Sequence, residues 1–211
     1  AILFTLIPSY VLSKRHLRGR RIINLFFIIT MYFEGGLIPY FMVIKTVGLY
    51  NSFLVYIIPC LFSGFNMILI RTYIEQLPPD IEESAKIDGA SEYVILFRII
   101  LPLCAPIMAT IAVFIGVGQW NSWFDSYIFM HDTRFQTIMA LLVKILNQYQ
   151  TKEYASNAEA LSRQFRNDQI SITPNSIRMA TTIVAIVPII TIYPFLQKYF
   201  TKGIMVGAIK A

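Results

Sequence analysis

Three stretches of this 211-residue chain contain no Asp, Glu, Lys or Arg: Thr46 to Ile70, Ile99 to Phe124 and Met179 to Gln197. A fourth, Ile22 to Ile44, contains only Glu34. Runs of this length can cross a hydrocarbon core of about 30 Å as helices. Backbone groups in lipid must be bonded within the segment, so a helix is expected; barrel strands would be shorter and would alternate polar with apolar, which these runs do not. The expected fold class is all-α, a polytopic transmembrane helix bundle. Composition agrees: 14% of residues are charged, against about 25% in ordinary soluble domains. In a soluble protein a net charge of +6 would suggest nucleic acid as a partner. Here the positives sit between the apolar runs, so lipid is the expected environment and no nucleic-acid partner is expected. Cys60 and Cys104 both fall in apolar runs and read as small core residues, without zinc or disulfide spacing.

The basic residues set an orientation. Lys14, Arg15, Arg18, Arg20 and Arg21 crowd one short loop, and short basic loops favour the cytoplasmic side. The run from Ile22 to about Ile44 then goes outward, a short external connection follows around Lys45 to Tyr50, and Asn51 to Ile70 returns. Arg71 to Arg98 is a cytoplasmic loop, Ile99 to about Met130 goes outward, 131–176 is an extracytoplasmic segment, and Ile177 to about Tyr199 comes back. This places eleven Lys and Arg inside and seven outside. Ala1 to Ser13 is too short to span, and we expect it to be the end of a helix whose start lies outside this sequence. Glu34-Gly35-Gly36, Pro39, Pro59 and Gly64 interrupt the first two runs. Such breakers are tolerated in membrane helices where neighbours re-satisfy the backbone.

The segment between the second and third full runs, residues 77–98, reads Leu77-Pro78-Pro79-Asp80-Ile81-Glu82-Glu83-Ser84-Ala85-Lys86-Ile87-Asp88-Gly89-Ala90-Ser91-Glu92. This predicts a helix, a turn and a helix. Pro78 and Pro79 precede the first helix, with Asp80 as its N-cap and Glu82 and Glu83 in the first turn, where the helix dipole favours acids. Gly89 permits the positive φ that ends a short helix. Pro102 is expected to mark the boundary of the following membrane helix. Glu75, Asp80, Glu82, Glu83, Asp88 and Glu92 make this an acidic knob, suited to a partner with a basic cleft.

This segment resembles the Glu-Ala-Ala loop of bacterial ABC importer permeases. Glu83, Ala85, Gly89, Ile99, Leu101 and Pro102 fall in its register, with Ser84 in place of the middle Ala. Ile87-Asp88-Gly89-Ala90 resembles the carbohydrate-uptake branch. So do Gly48-Leu49-Tyr50-Asn51-Ser52, Gln119-Trp120-Asn121-Ser122-Trp123 and the tail from Phe200 to Lys210. Within that branch the likeness leans towards permeases for oligosaccharides of plant or algal polysaccharides, uronate-containing ones included. The resemblance covers nearly the whole chain and implies a single permease transmembrane domain over 1–211, N-terminally incomplete.

The resemblance also implies a mechanism. The loop would form a coupling helix seated in a groove of an ATPase subunit, through Glu82, Glu83, Ser84, Ala85, Asp88, Gly89 and Ala90, with Leu101 and Pro102 closing the motif. Glu83 would make a charged contact with the ATPase, Gly89 would set the angle between the two short helices, and Ala85 and Ala90 would allow close approach. Closure of an ATPase dimer would drive alternating access by rigid-body motion. The implied partners are that dimer, a second permease subunit and an extracellular solute-binding protein. This chain has no Gly-x-x-x-x-Gly-Lys-Ser/Thr phosphate loop, so ATP and Mg are expected on the partner, with no catalytic residue, cofactor or metal on this chain.

Three further residues are candidates for the transport pathway. Glu34 is an intramembrane acid, which is by default a functional candidate; it would line the pathway or pair with the second permease. Trp120 and Asn121 invite a sugar-contact reading, against an interfacial aromatic or helix-packing role. His16 and His131 read as surface residues. The alternatives are an importer of the same architecture for another solute such as peptides, and a secondary transporter. An intramembrane enzyme would place paired acids or His within the runs, and none is seen.

Overall fold

The computed structural model describes residues 1–33, 35–148 and 174–208, with side chains in the last helix described over 175–194. The described regular structure is helical throughout. In chain order it comprises α1 (Ile2–Ser13), α2 (Arg20–Tyr32), α3 (Leu37–Thr46), α4 (Gly64–Glu75), α5 (Pro79–Ile87), α6 (Glu92–Leu103), α7 (Ala105–Asn121), α8 (Phe124–Phe129), α9 (Ile138–Gln148) and α10 (Pro174–Ala208). Short 3-10 turns occupy Phe53–Tyr56 and Thr133–Phe135.

The apolar runs do not become simple rods. Among the described residues only Asn175–Pro194 of α10 is by itself long and apolar enough to cross a membrane. The pairs α2–α3 and α6–α7 reach that length together, bent by 111° and 76°. The expected return span from Asn51 is helical only from Gly64, so α4 covers about 18 Å at 1.5 Å per residue. Pro59 removes a backbone donor in the irregular half, and Ser63 starts α4 by accepting the Asn66 N–H.

Pro102 stands at the helix boundary expected for it, to within two residues: it is the penultimate residue of α6, which ends at Leu103, and the membrane helix α7 starts at Ala105. The preceding Ile95–Ile100 is wound as a wider π-helix, which relieves the clash between a proline ring and the carbonyl four residues back. The break falls at Cys104, just before Ala105-Pro106, where Pro106 cannot donate to the previous turn. Pro188 and Pro194, by contrast, are carried within α10.

The core lies where α1, α4, α5, α6 and α7 meet. Leu6, Ile70, Ile95, Cys104 and Ile111 are completely buried there. α1 crosses α4 closely because a small residue stands at the contact. The buried Ser9 hydroxyl lies 2.6 Å from the Thr5 carbonyl and 3.0 Å from the Met67 carbonyl of α4. Its one proton thus serves both, the kind of small polar contact that joins helices where lipid supplies no hydrophobic drive. α10 packs chiefly on α7. α2, by contrast, buries none of its residues; Leu25, Phe26 and Ile29 face outward.

A second buried cluster, separate from the first, comprises Ile44, Leu49, Val55, Phe129 and Met130. The turn before it needs Gly48 at φ 77° and Asn51 at φ 54°, conformations open to Gly and, among other residues, best tolerated by Asn. Asn51 repays that strain: its Oδ1 accepts the His131 and Asp132 N–H groups at 3.0 and 3.2 Å. His131, read from sequence as a plain surface residue, is hydrogen-bonded to the Tyr50 hydroxyl at 2.7 Å.

The α1–α4 crossing gives a direct test. Ser9→Ala should cost about 0.6 kcal/mol, the average for a polar contact between membrane helices, and Ser9→Leu about 1–3 kcal/mol from overpacking. Thermal unfolding in detergent measures both; an unchanged melting temperature for Ser9→Leu would contradict the close crossing.

Candidate coupling site

The segment 77–98 folds as two short helices on either side of Gly89. α5 begins with Pro79 at its first position, where a missing N–H costs nothing. The N-cap is Pro78, and no side chain caps this end. Asp80 therefore is not the cap predicted for it: it sits inside the first turn with Glu82, favourable to the helix dipole without a capping bond. At the other end Gly89 has φ 78°. The Ala90 N–H bonds the Ala85 carbonyl and the Gly89 N–H bonds the Lys86 carbonyl, each at 3.0 Å. This pair of bonds is a Schellman closure, and it satisfies carbonyls that the helix end would leave open. Ser91 then caps α6, its hydroxyl accepting the Val94 N–H.

One face of this hairpin is locked onto the bundle. Ala85 is buried in the core, with Leu77, Ala90 and Leu101 packed against the same cluster. The polar lock is centred on Lys14, which follows α1. Its ammonium pairs with Glu82 of α5 and lies 3.2 Å from Glu92 of α6. It also sits 2.6 Å from the Tyr10 hydroxyl, which donates to Glu92 at 2.6 Å. Lys86 bridges the same two acids, 2.8 Å from Glu82 and 3.2 Å from Glu92. Beside this, Arg20 pairs with Glu75, and Arg71 lies 3.1 Å from it. Burial pushes the Glu82 carboxyl up, but hydrogen bonds from Lys14 and Lys86 outweigh it and hold the group below its ordinary value of 4.5. Hydrogen bonds from Lys86 to Glu82 and Glu92 raise the lysine in turn.

This corrects the view of a uniformly acidic knob. Glu75, Glu82 and Glu92 are neutralised within the chain by Lys14, Arg20, Arg71 and Lys86. Glu82, expected among the partner-contacting residues, turns inward, and Ala85 makes its close approach to this chain's own core. The face left outward carries Asp80, Glu83, Ser84 and Asp88, all exposed. It also carries two apolar residues that the charge-led sequence reading passed over, Ile87 at 86% and Tyr93 at 78% exposure. Their signal in the sequence was an apolar residue at each end of the Gly89 turn. Pro102 is exposed near the end of α6.

The pathway candidates separate. Trp120 donates its indole N–H to the Ala185 carbonyl of α10 at 3.1 Å, joining α7 to α10; this is the helix-packing role. Asn121 ends α7 and is exposed. Glu34 lies outside the described residues, as does most of the polar part of the extracytoplasmic segment. Flanking position 34, a cleft of about 490 Å³ is lined by Phe33, Gly36, Leu37, Tyr40 and Phe124, among others. Among the described residues no group of His, Cys, Asp and Glu is arranged to hold a metal.

Bent helices around a buried core, an outward apolar surface and a charge-locked helical hairpin define the class: a helical membrane protein with a polar hairpin set against its bundle. The family profile described as binding-protein-dependent transport system inner membrane component matches residues 1–206, and the chain belongs to that family. It is 37% identical over 211 residues to the protein LplC of Bacillus subtilis (strain 168), covering 99% of this chain and 68% of that protein. It is 35% identical over 208 residues to the polygalacturonan/rhamnogalacturonan transport system permease protein YtcP of the same organism, covering 96% and 68%. Among solved structures it is similar to a bacterial ABC transporter involved in the import of the acidic polysaccharide alginate. There the TM-score is 0.71 at 28% identity, covering 94% of this chain and 71% of that one. The chain is thus a multi-pass inner-membrane component, a transport subunit of the ABC importer type.

The depressed Glu82 carboxyl gives a pH prediction. A group whose folded value lies below its unfolded one contributes stability at higher pH and loses it as pH falls through the folded value. The hairpin lock should hold at neutral pH and weaken progressively below pH 4.5, the ordinary glutamate value. Amide exchange of α5, corrected for its intrinsic pH dependence, should show this, and Glu82→Gln should shrink the step, leaving the part carried by Glu92, whose carboxyl the Tyr10 hydrogen bond and the two lysines hold down to about 2; a step unchanged by Glu82→Gln would contradict the assignment.

Proposed function

We propose that α5 and α6 form the cytoplasmic coupling element of this permease, and that its transported solute is an oligosaccharide, uronate-containing ones included. The observation that carries the coupling reading is the two-sidedness of the hairpin. Its inner face is fixed to the bundle by Ala85 and the Lys14 cluster, while Glu83, Ile87, Asp88 and Tyr93 are presented outward. An exposed patch of apolar residues rimmed by charge is what a docking face requires. The substrate reading is supported by relatives named for polygalacturonan, rhamnogalacturonan and alginate. The aromatic cleft of Phe33, Tyr40 and Phe124 offers rings of the kind on which sugars stack.

In this mechanism ATP and Mg are bound and ATP is hydrolysed on a separate ATPase dimer. Its closure displaces α5 and α6 as a rigid unit, since Gly89 is closed by two backbone bonds and the two helices are bridged by shared ion pairs. α6 runs directly into α7 through the bend at Cys104, so displacement of the hairpin changes the tilt of a membrane helix. A second permease subunit completes the pathway, and an extracellular solute-binding protein delivers the sugar.

Purification of the tagged full-length subunit from native membranes in mild detergent, with mass spectrometry of what accompanies it, tests this reading. The parent chain should bring down an ATPase, a second permease and a binding protein; Gly89→Pro combined with Glu83→Ala should lose the ATPase while keeping the second permease. Absence of any ATPase from the parent preparation would refute the coupling role.

A further inference from the structure

The Lys14 cluster has a geometry that neither charge balance nor docking demands. Its two acids stand on different helices, Glu82 on α5 and Glu92 on α6, on opposite sides of the Gly89 turn. Lys86 already bridges them within the hairpin. Lys14 bridges the same pair from a third element, the end of α1. The Lys14 side chain is only 11% exposed, and its ammonium lies 3.9 Å from the centre of the Tyr10 ring. Tyr10 is itself buried, and it closes the circuit by donating to Glu92. Upstream on the same helix, Ser9 ties α1 to the Met67 carbonyl of α4. A continuous line of contacts therefore leads from both coupling helices through Lys14 and Tyr10 into α1 and on to α4.

We propose that Lys14 is a positioning residue for energy coupling: it sets the angle between α5 and α6 together with Gly89, and delivers the hairpin's displacement to α1 as well as to α7. This rests on the coupling role proposed above. Two routes of transmission follow. One is covalent, from α6 into α7; the other is electrostatic, from Glu82 and Glu92 through Lys14 into α1. Losing the second leaves docking and hydrolysis in place while less of each closure reaches the membrane helices. The outward residues Glu83, Ile87, Asp88 and Tyr93 are untouched by a change at Lys14.

The test uses the full complex, purified from native membranes, reconstituted in vesicles and supplied with the binding protein and with oligosaccharides from polygalacturonan or alginate. Three quantities are read: ATPase co-purified, ATP hydrolysed, and sugar imported per ATP. Lys14→Met, which keeps the apolar stem, should retain the ATPase and its hydrolysis but lower sugar imported per ATP by about fivefold or more, the lower end of usual coupling between sites. Lys14→Arg should recover most of the loss. Lys86→Met, which removes the other cation while leaving the link to α1, should lose clearly less import per ATP than Lys14→Met. If Lys14→Met fails to assemble, Glu82→Gln carries the same expectation with an isosteric side chain. Import per ATP unchanged in Lys14→Met, or in Glu82→Gln where that variant stands in, would overturn the proposal. So would an equal loss in Lys86→Met, which would mean charge balance alone. Failure of the parent chain to retain any ATPase would instead overturn the underlying coupling role.

Discussion

A single ammonium group, that of Lys14, stands between the membrane bundle and the helical hairpin that projects from it. Its partners come from two helices separated from it by most of the first third of the chain, and from Tyr10 one turn earlier. Taking a charge this far out of water is unfavourable unless it is paired and hydrogen-bonded. Here two carboxylates, a hydroxyl and an aromatic face share that task. Because the acids belong to α5 and α6, satisfying the lysine also fixes the hairpin. Ala85, small enough to enter the core, lets α5 lie close enough for those pairs to form.

The rest of the architecture follows from keeping backbone groups bonded where water is absent. The runs are interrupted by prolines and glycines, and several of the interruptions among the described residues are repaired locally. A π-helical stretch precedes Pro102, Ser63 caps α4, and Asn51 accepts two backbone N–H groups. The bends between α2 and α3 and at Cys104 give helices that can re-tilt against one another, which alternating access needs. The outward apolar face of α2 is suited to lipid or to a second permease.

Much of this was legible in the residues. Charge-free runs reported depth in the membrane, the Pro78-Pro79 pair the start of α5 to within two residues, and Gly89 the turn that closes it. What a charge-free run does not report is helicity, so the irregular path of Asn51–Ser63 and the bend at Cys104 were invisible in it. Proline marked a boundary at Pro102, within two residues of the break at Cys104, but not at Pro188 and Pro194, which are carried inside α10. The acidic segment misled for a different reason. A count of acids along the loop cannot reveal that Glu82 and Glu92 meet a lysine 68 or more positions away, and this long-range pairing decides which residues remain outward. Trp120 lay between two sequence readings, and its bond to the Ala185 carbonyl assigns it to helix packing.

The central claim is that the outward face of this hairpin lies in the cytoplasm and is covered by the ATPase. Ile87→Cys places a thiol at its most exposed apolar point, in a background with Cys60 and Cys104 replaced by Ala. A membrane-impermeant maleimide then reports its side and its cover. The account predicts no labelling in intact cells, labelling in inside-out vesicles stripped of peripheral proteins, and renewed protection when the ATPase subunits are added back. Labelling in intact cells, or labelling indifferent to the ATPase, would contradict it.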